Sequence, residues 1–68
     1  MTLDQQLLKA HAAKDHKALA ELYEVAANET VDEDTSSFFL TQALVFALET
    51  NAPNQNRLAS RLKKTGRF

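Results

Sequence analysis

Sixty-eight residues, a formal net charge of −1 and no cysteine suit one small domain. Disulfides and thiolate zinc sites are excluded, and no bulk field draws the chain to nucleic acid. A core of this size is marginal, because a domain of roughly 60 residues buries only about 60% of its unfolded surface.

One Gly, one Pro and many Ala, Leu, Glu, Lys and Gln residues predict an all-α domain of long regular helices. The opening MTLDQQLLKA has neither the basic start nor the continuous apolar stretch of a signal peptide. The longest apolar run, Ala43 to Leu48, is too short to span a bilayer. A cytoplasmic protein with no membrane contact is the expectation.

Thr2-Leu3-Asp4-Gln5 fits a capping box, and the first helix is expected to reach about Ala13. Leu3, Leu7 and Ala10 share one face, His11 stands at its edge and Leu8 lies to the side. Lys14-Asp15-His16 reads as a tight connection, with Asp15 capping a second helix from His16 to about Ala27. Ala18, Leu19, Leu22, Tyr23 and Ala26 form its apolar face; Lys17, Glu21 and Glu24 are expected on the solvent side. Asn28 suits its C-terminus.

The third helix starts either from a capping box at Thr30 to Glu33 or from a cap at Asp34. It runs to about Thr50, where Asn51 can close it. At 100° per residue, Phe39, Leu40, Ala43, Leu44, Phe46, Ala47 and Leu48 cover an arc of roughly 200°, about twice that of an amphipathic surface helix. Such a helix is expected at the centre, wrapped by the other three. Phe38 and Val45 fall outside this arc, on a line shared with Gln42 and Glu49. Phe38, Val45 and Gln42 are therefore the candidate contacts for a protein partner or a second copy of the chain.

Pro53 suits the first turn of a fourth helix ending near Thr65, with Gly66 as its stop. Leu58, Ala59 and Leu62 make its apolar stripe. Short connections give two consecutive antiparallel hairpins in a compact four-helix domain.

The polar residues offer little chemistry. On one helix, His11 and His16 would be separated by about 140°, so no metal site is expected, and no cofactor either. Asp32-Glu33-Asp34 lacks the spacing and the turn glycine of a calcium loop and reads as a helix start. Ser36 and Ser37 have no matched histidine pattern, and one glycine cannot build a phosphate loop. A catalytic role is not expected.

Charge is unevenly spread. Seven acidic and no basic residues lie from Ala18 to Thr50; five basic and no acidic residues follow Asn51. Arg57, Arg61 and Lys64 share a helical face opposite Leu58 and Leu62. This face either stays solvated or pairs loosely with acidic neighbours, or it contacts nucleic-acid phosphates. No aromatic residue is interleaved for base stacking, so the interaction module is favoured over the nucleic-acid binder.

The segment DHKALAELYEVAA, Asp15 to Ala27, resembles the second helix of a tetratricopeptide or Sel1-like repeat. In that resemblance Leu3, Leu7 and Ala10 match the first helix, His16 the turn aromatic, Tyr23 the inner aromatic and Ala26 the small packing residue. Leu19 and Lys14 depart from the pattern, which has a small residue and a glycine there. A second unit would cover Phe39 to Lys64. FFLTQALVFALE with the following leucines and arginines is also similar to small uncharacterised helical proteins of alphaproteobacteria. The repeat resemblance implies a TPR-like interaction surface and no catalysis. Two units fall below the usual solenoid minimum of about three, so a compact domain is expected.

Overall fold

A computed structural model describes residues 2–65. All the regular structure of these residues is helical: α1 (Leu3–Ala13), α2 (His16–Glu29), α3 (Glu33–Thr50) and α4 (Gln55–Thr65). Local chemistry sets most of the boundaries. The Gln5 amide donates to Thr2 Oγ1 at 3.2 Å, and the Thr2 amide donates to Gln5 Oε1 at 3.0 Å, closing the expected capping box. Asp15 caps α2 by accepting from the Ala18 amide. Lys14 and Asn51 end α1 and α3 in the left-handed conformation, at φ 55° and 52°.

Three boundaries differ from expectation. α2 continues through Asn28 to Glu29, and Thr30 ends it in an extended conformation. α3 is capped by Asp32, which accepts from the amide and the hydroxyl of Thr35. That leaves Glu33 and Asp34 in the first turn, where the dipole favours anions. Pro53 precedes α4 by two residues: the chain turns through Pro53 and Asn54 before the helix begins, with Ala52 and Asn54 both buried. Gly66 lies outside the described residues.

Consecutive helices pack on one another, and the largest contact is between α2 and α3, which joins the two hairpins. Ala27 faces Ser36, Tyr23 faces Phe39 and His16 faces Glu49, so α2 and α3 run antiparallel. Ala20 and Ala27 of α2 join Ala43 and Ala47 of α3 in the core, each at most 2% exposed. Side chains this small let two backbones approach closely. Leu40 and Leu44 carry the core from α3 towards α4, where Leu58 and Leu62 are buried.

The expectation of a fully wrapped third helix needs correction. α2 and α4 flank α3, while α1 packs chiefly on α2. The side of α3 turned away from its neighbours is therefore bare. Leu48, expected in the core, is 57% exposed, and Ser37 takes an inward place instead. On α1 only Ala10 is buried, with Leu3 and Leu7 half-buried. The buried set of α2 includes Ala20, Ala27 and Glu24, while Ala18, Leu22 and Tyr23 are half-buried.

Candidate interaction surface

From Thr35 to Leu48 α3 carries no charged residue. The exposed positions in that span are Phe38, Thr41, Val45 and Leu48. Their spacing of three, four and three places them on one side of the helix. Phe38 is 56% and Val45 45% exposed, as the helical wheel predicts. Gln42, the third residue of the expected partner line, is half-buried, so it borders the stripe. Leu48 is the member sequence reasoning missed. The other three helices all expose charge: Asp4 and Lys9 on α1, Lys17 and Glu21 on α2, Arg57 and Lys63 on α4.

Beside this stripe the surface is aromatic. Phe38 touches Phe39, Phe39 touches Tyr23, and Tyr23 stacks on Phe46 with ring centres 5.9 Å apart. Both histidines pack on Phe46, His11 at 6.1 Å and His16 at 5.1 Å between ring centres. His11 Nε2 shares a hydrogen bond with the Tyr23 hydroxyl at 2.9 Å, and His16 Nδ1 lies 2.9 Å from Glu49 Oε2. The rings form one contiguous layer across α1, α2 and α3. Edge contacts and stacks of this kind stabilise by about 0.5–1.5 kcal/mol each beyond their burial. Among the described residues no group of three or more His, Cys, Asp or Glu could hold a metal.

The basic face of α4 has a structural attachment. Glu24 is 8% exposed, not solvent-facing as expected. Its carboxylate accepts from Arg57 Nε and Nη2, both at 2.8 Å, a two-point fork, and from Asn54 Nδ2 at 3.3 Å. Arg61 Nη1 stands 3.6 Å away. A carboxylate is tolerated at this depth because these groups replace its water. The Arg57 fork holds the Glu24 carboxyl below its ordinary 4.5, against the opposite push of burial; Asn54 and the charges of Arg57 and Arg61 add to the lowering. Glu24 in turn raises the Arg57 guanidinium.

Two of the three cations proposed for phosphate contact are thus shared with an internal acid. Lys64 and Arg61 do line a crevice of about 450 Å³, but Glu33 lines it as well. The signal for this node was present in the chain. Glu24 falls on the line of Ala20 and Ala27, and Arg57 and Arg61 are one turn apart. What the sequence lacks is the packing of α2 and α4 on the same α3, which lets the Arg57 side chain reach Glu24 from 33 positions away.

No protein-family model matches the chain, and neither a curated protein nor a solved structure matches it. No described helix is long and apolar enough to cross a membrane.

Proposed function

We propose that the chain is a non-catalytic protein-interaction module, working in the cytoplasm, whose docking surface is the outward face of α3. The observation that carries this reading is the stripe of Phe38, Thr41, Val45 and Leu48: three large apolar side chains in the open with no charge among them. Single exposed apolar residues are ordinary. A row at helical spacing is the form in which a helix presents anchors to a partner. Packing of each helix on the one before it is also what the resemblance to helical-hairpin repeats requires. The histidines have structural partners in Tyr23, Phe46 and Glu49, and the reading assigns them no reaction.

Nucleic-acid binding through Arg57, Arg61 and Lys64 is the rival reading. The shared Glu24 counts against it, since a cation already in a fork has less to gain from a phosphate. The interaction reading is tested by placing a photoreactive residue at Val45 and, as a control, at Lys17, then illuminating the protein in its native cell. Adducts specific to Val45 support it. The same background from both sites sinks it. Salt-sensitive binding to generic DNA or RNA, abolished by Arg57→Ala with Lys64→Ala, would replace it with the rival.

A further inference from the structure

Resting on that reading of the outward face of α3, we infer that its occupant is a basic amphipathic helix of another protein, with an apolar row and a lysine or arginine beyond each end of it. Asp34 stands one helical turn before Phe38, and Glu49 one turn after Val45. Both acids are exposed. The stripe is thus an uncharged run closed at each end by a carboxylate. At a rise of about 1.5 Å per residue, the two lie about 22 Å apart along the axis.

The fold explains Asp34 by itself, since an acid in a first turn suits the helix dipole. It does not explain Glu49. That acid sits in the last turn of α3, where the dipole is negative and favours a cation, and the turn holds no basic residue. His16 Nδ1 approaches Glu49 at 2.9 Å from α2. A neutral imidazole donating from that nitrogen leaves the carboxylate charge in place. A lysine or arginine brought to this end meets a carboxylate and the pole of a helix together. The surroundings carry the same sign: α2 after Lys17 and all of α3 contain no lysine or arginine. The cations of α4 lie on another flank. Arg57 and Arg61 reach Glu24, and Lys64 lines the crevice with Glu33, Ser37 and Leu40.

Charge also turns other occupants away. A second copy would set Asp34 against Glu49 if antiparallel and each acid against itself if parallel, and like charges across a contact repel. The basic helix α4 of another copy cannot take the place, because its Leu58 and Leu62 are buried. Polyanions are repelled by both ends. The four bare side chains fall well short of the about 800 Å² per partner of a standard interface. Apolar contact alone therefore binds weakly, and the two terminal charge pairs supply the selectivity and a marked salt dependence.

The probe is a synthetic helical peptide of about 18 residues, long enough to span both acids. It carries a leucine row with a lysine at each end, and its counterpart has glutamate in place of the lysines. Fluorescence anisotropy with the full chain should find the lysine peptide bound at least about tenfold more tightly than the glutamate one, with the difference shrinking in high salt. Asp34→Asn with Glu49→Gln should weaken the lysine peptide about three- to tenfold and erase the preference. Asp4→Asn with Glu21→Gln removes the same charge elsewhere and should change nothing. Val45→Ser should weaken both peptides, with an unchanged helical circular dichroism spectrum. Equal affinity for the two peptides overturns the inference, as does an equal loss in both double variants or no binding of the lysine peptide at about 1 mM. If it fails in any of these ways while Val45 still cross-links specifically in the cell, the basic partner falls and the docking reading stands. Failure together with no specific adducts removes both.

Discussion

Two sides of the third helix are built on opposite terms. Inward, α3 and its neighbours enclose small alanines and leucines, and beyond them α2 and α4 meet across the buried carboxylate of Glu24. Outward, the same helix holds Phe38, Val45 and Leu48 in water. An acid is covered and three apolar residues are not. Geometry explains both. Arg57 and Arg61 reach from α4 to Glu24 of α2 and bring it two guanidinium groups, so its desolvation is offset. Among the described residues no fifth helix reaches the outer side of α3, so Phe38, Val45 and Leu48 stay bare. Burial here follows the arrangement of four short helices more closely than the hydropathy of single residues.

Leu44→Ala is the largest test of that contrast. Leu44 is 6% exposed and belongs to the cluster shared with α2 and α4. Its truncation removes buried methyl groups and leaves a cavity, costing about 2–5 kcal/mol. In a domain whose whole stability is of order 5 kcal/mol, chemical denaturation should find the variant barely folded. A loss below about 1 kcal/mol would mean that the inner side collapses as freely as a surface, and the contrast would be lost.

Glu24→Gln comes next. The substitution keeps the volume and removes the charge that the Arg57 fork recognises. Hydrogen bonds to this charge stabilise the fold, less than a fully buried pair would because solvent screens the exposed Arg57, and part of that contribution should disappear at neutral pH. The sign of the pH dependence is fixed by the lowered pKa. Above the ordinary carboxyl value the folded and unfolded forms are both ionised and the stabilisation is complete. As pH falls through the depressed folded value, the unfolded chain takes up its proton first and the contribution drains away. Denaturation curves should therefore separate wild type from Glu24→Gln at about pH 7 and draw them together in acid. A difference that persists unchanged down to about pH 2 would assign it to packing and not to the charge.

Much of this arrangement is legible along the chain. The capping box at Thr2, the cap at Asp15 and the left-handed stop at Asn51 are local chemistry, decided within four residues. Leu40, Ala43, Leu44 and Ala47 follow from periodicity, and so do Phe38 and Val45 as outliers. Leu48 and Glu24 do not. On a helical wheel Leu48 sits at the margin of the apolar arc, and whether a margin is covered depends on how many neighbours exist. Glu24 reads as solvent-facing until Arg57 and Asn54 are brought to it by a contact between α2 and α4 that no local signal encodes. Sequence pattern reaches what a helix does by itself; these two residues are placed by where the other helices lie.

Leu48→Ala gives the smallest expected effect and the most pointed one, because Leu44 is its chemical twin one turn earlier on the same helix. At 57% exposure the Leu48 side chain has little burial to lose, so the folded monomer should change by no more than about 0.5 kcal/mol. Alanine also has a slightly better helix propensity than leucine, which works against any loss. The measurement belongs in dilute solution, where only the folded monomer contributes. A gap of several kcal/mol there would instead place Leu48 within the fold, and the bare side of α3 would have to be given up.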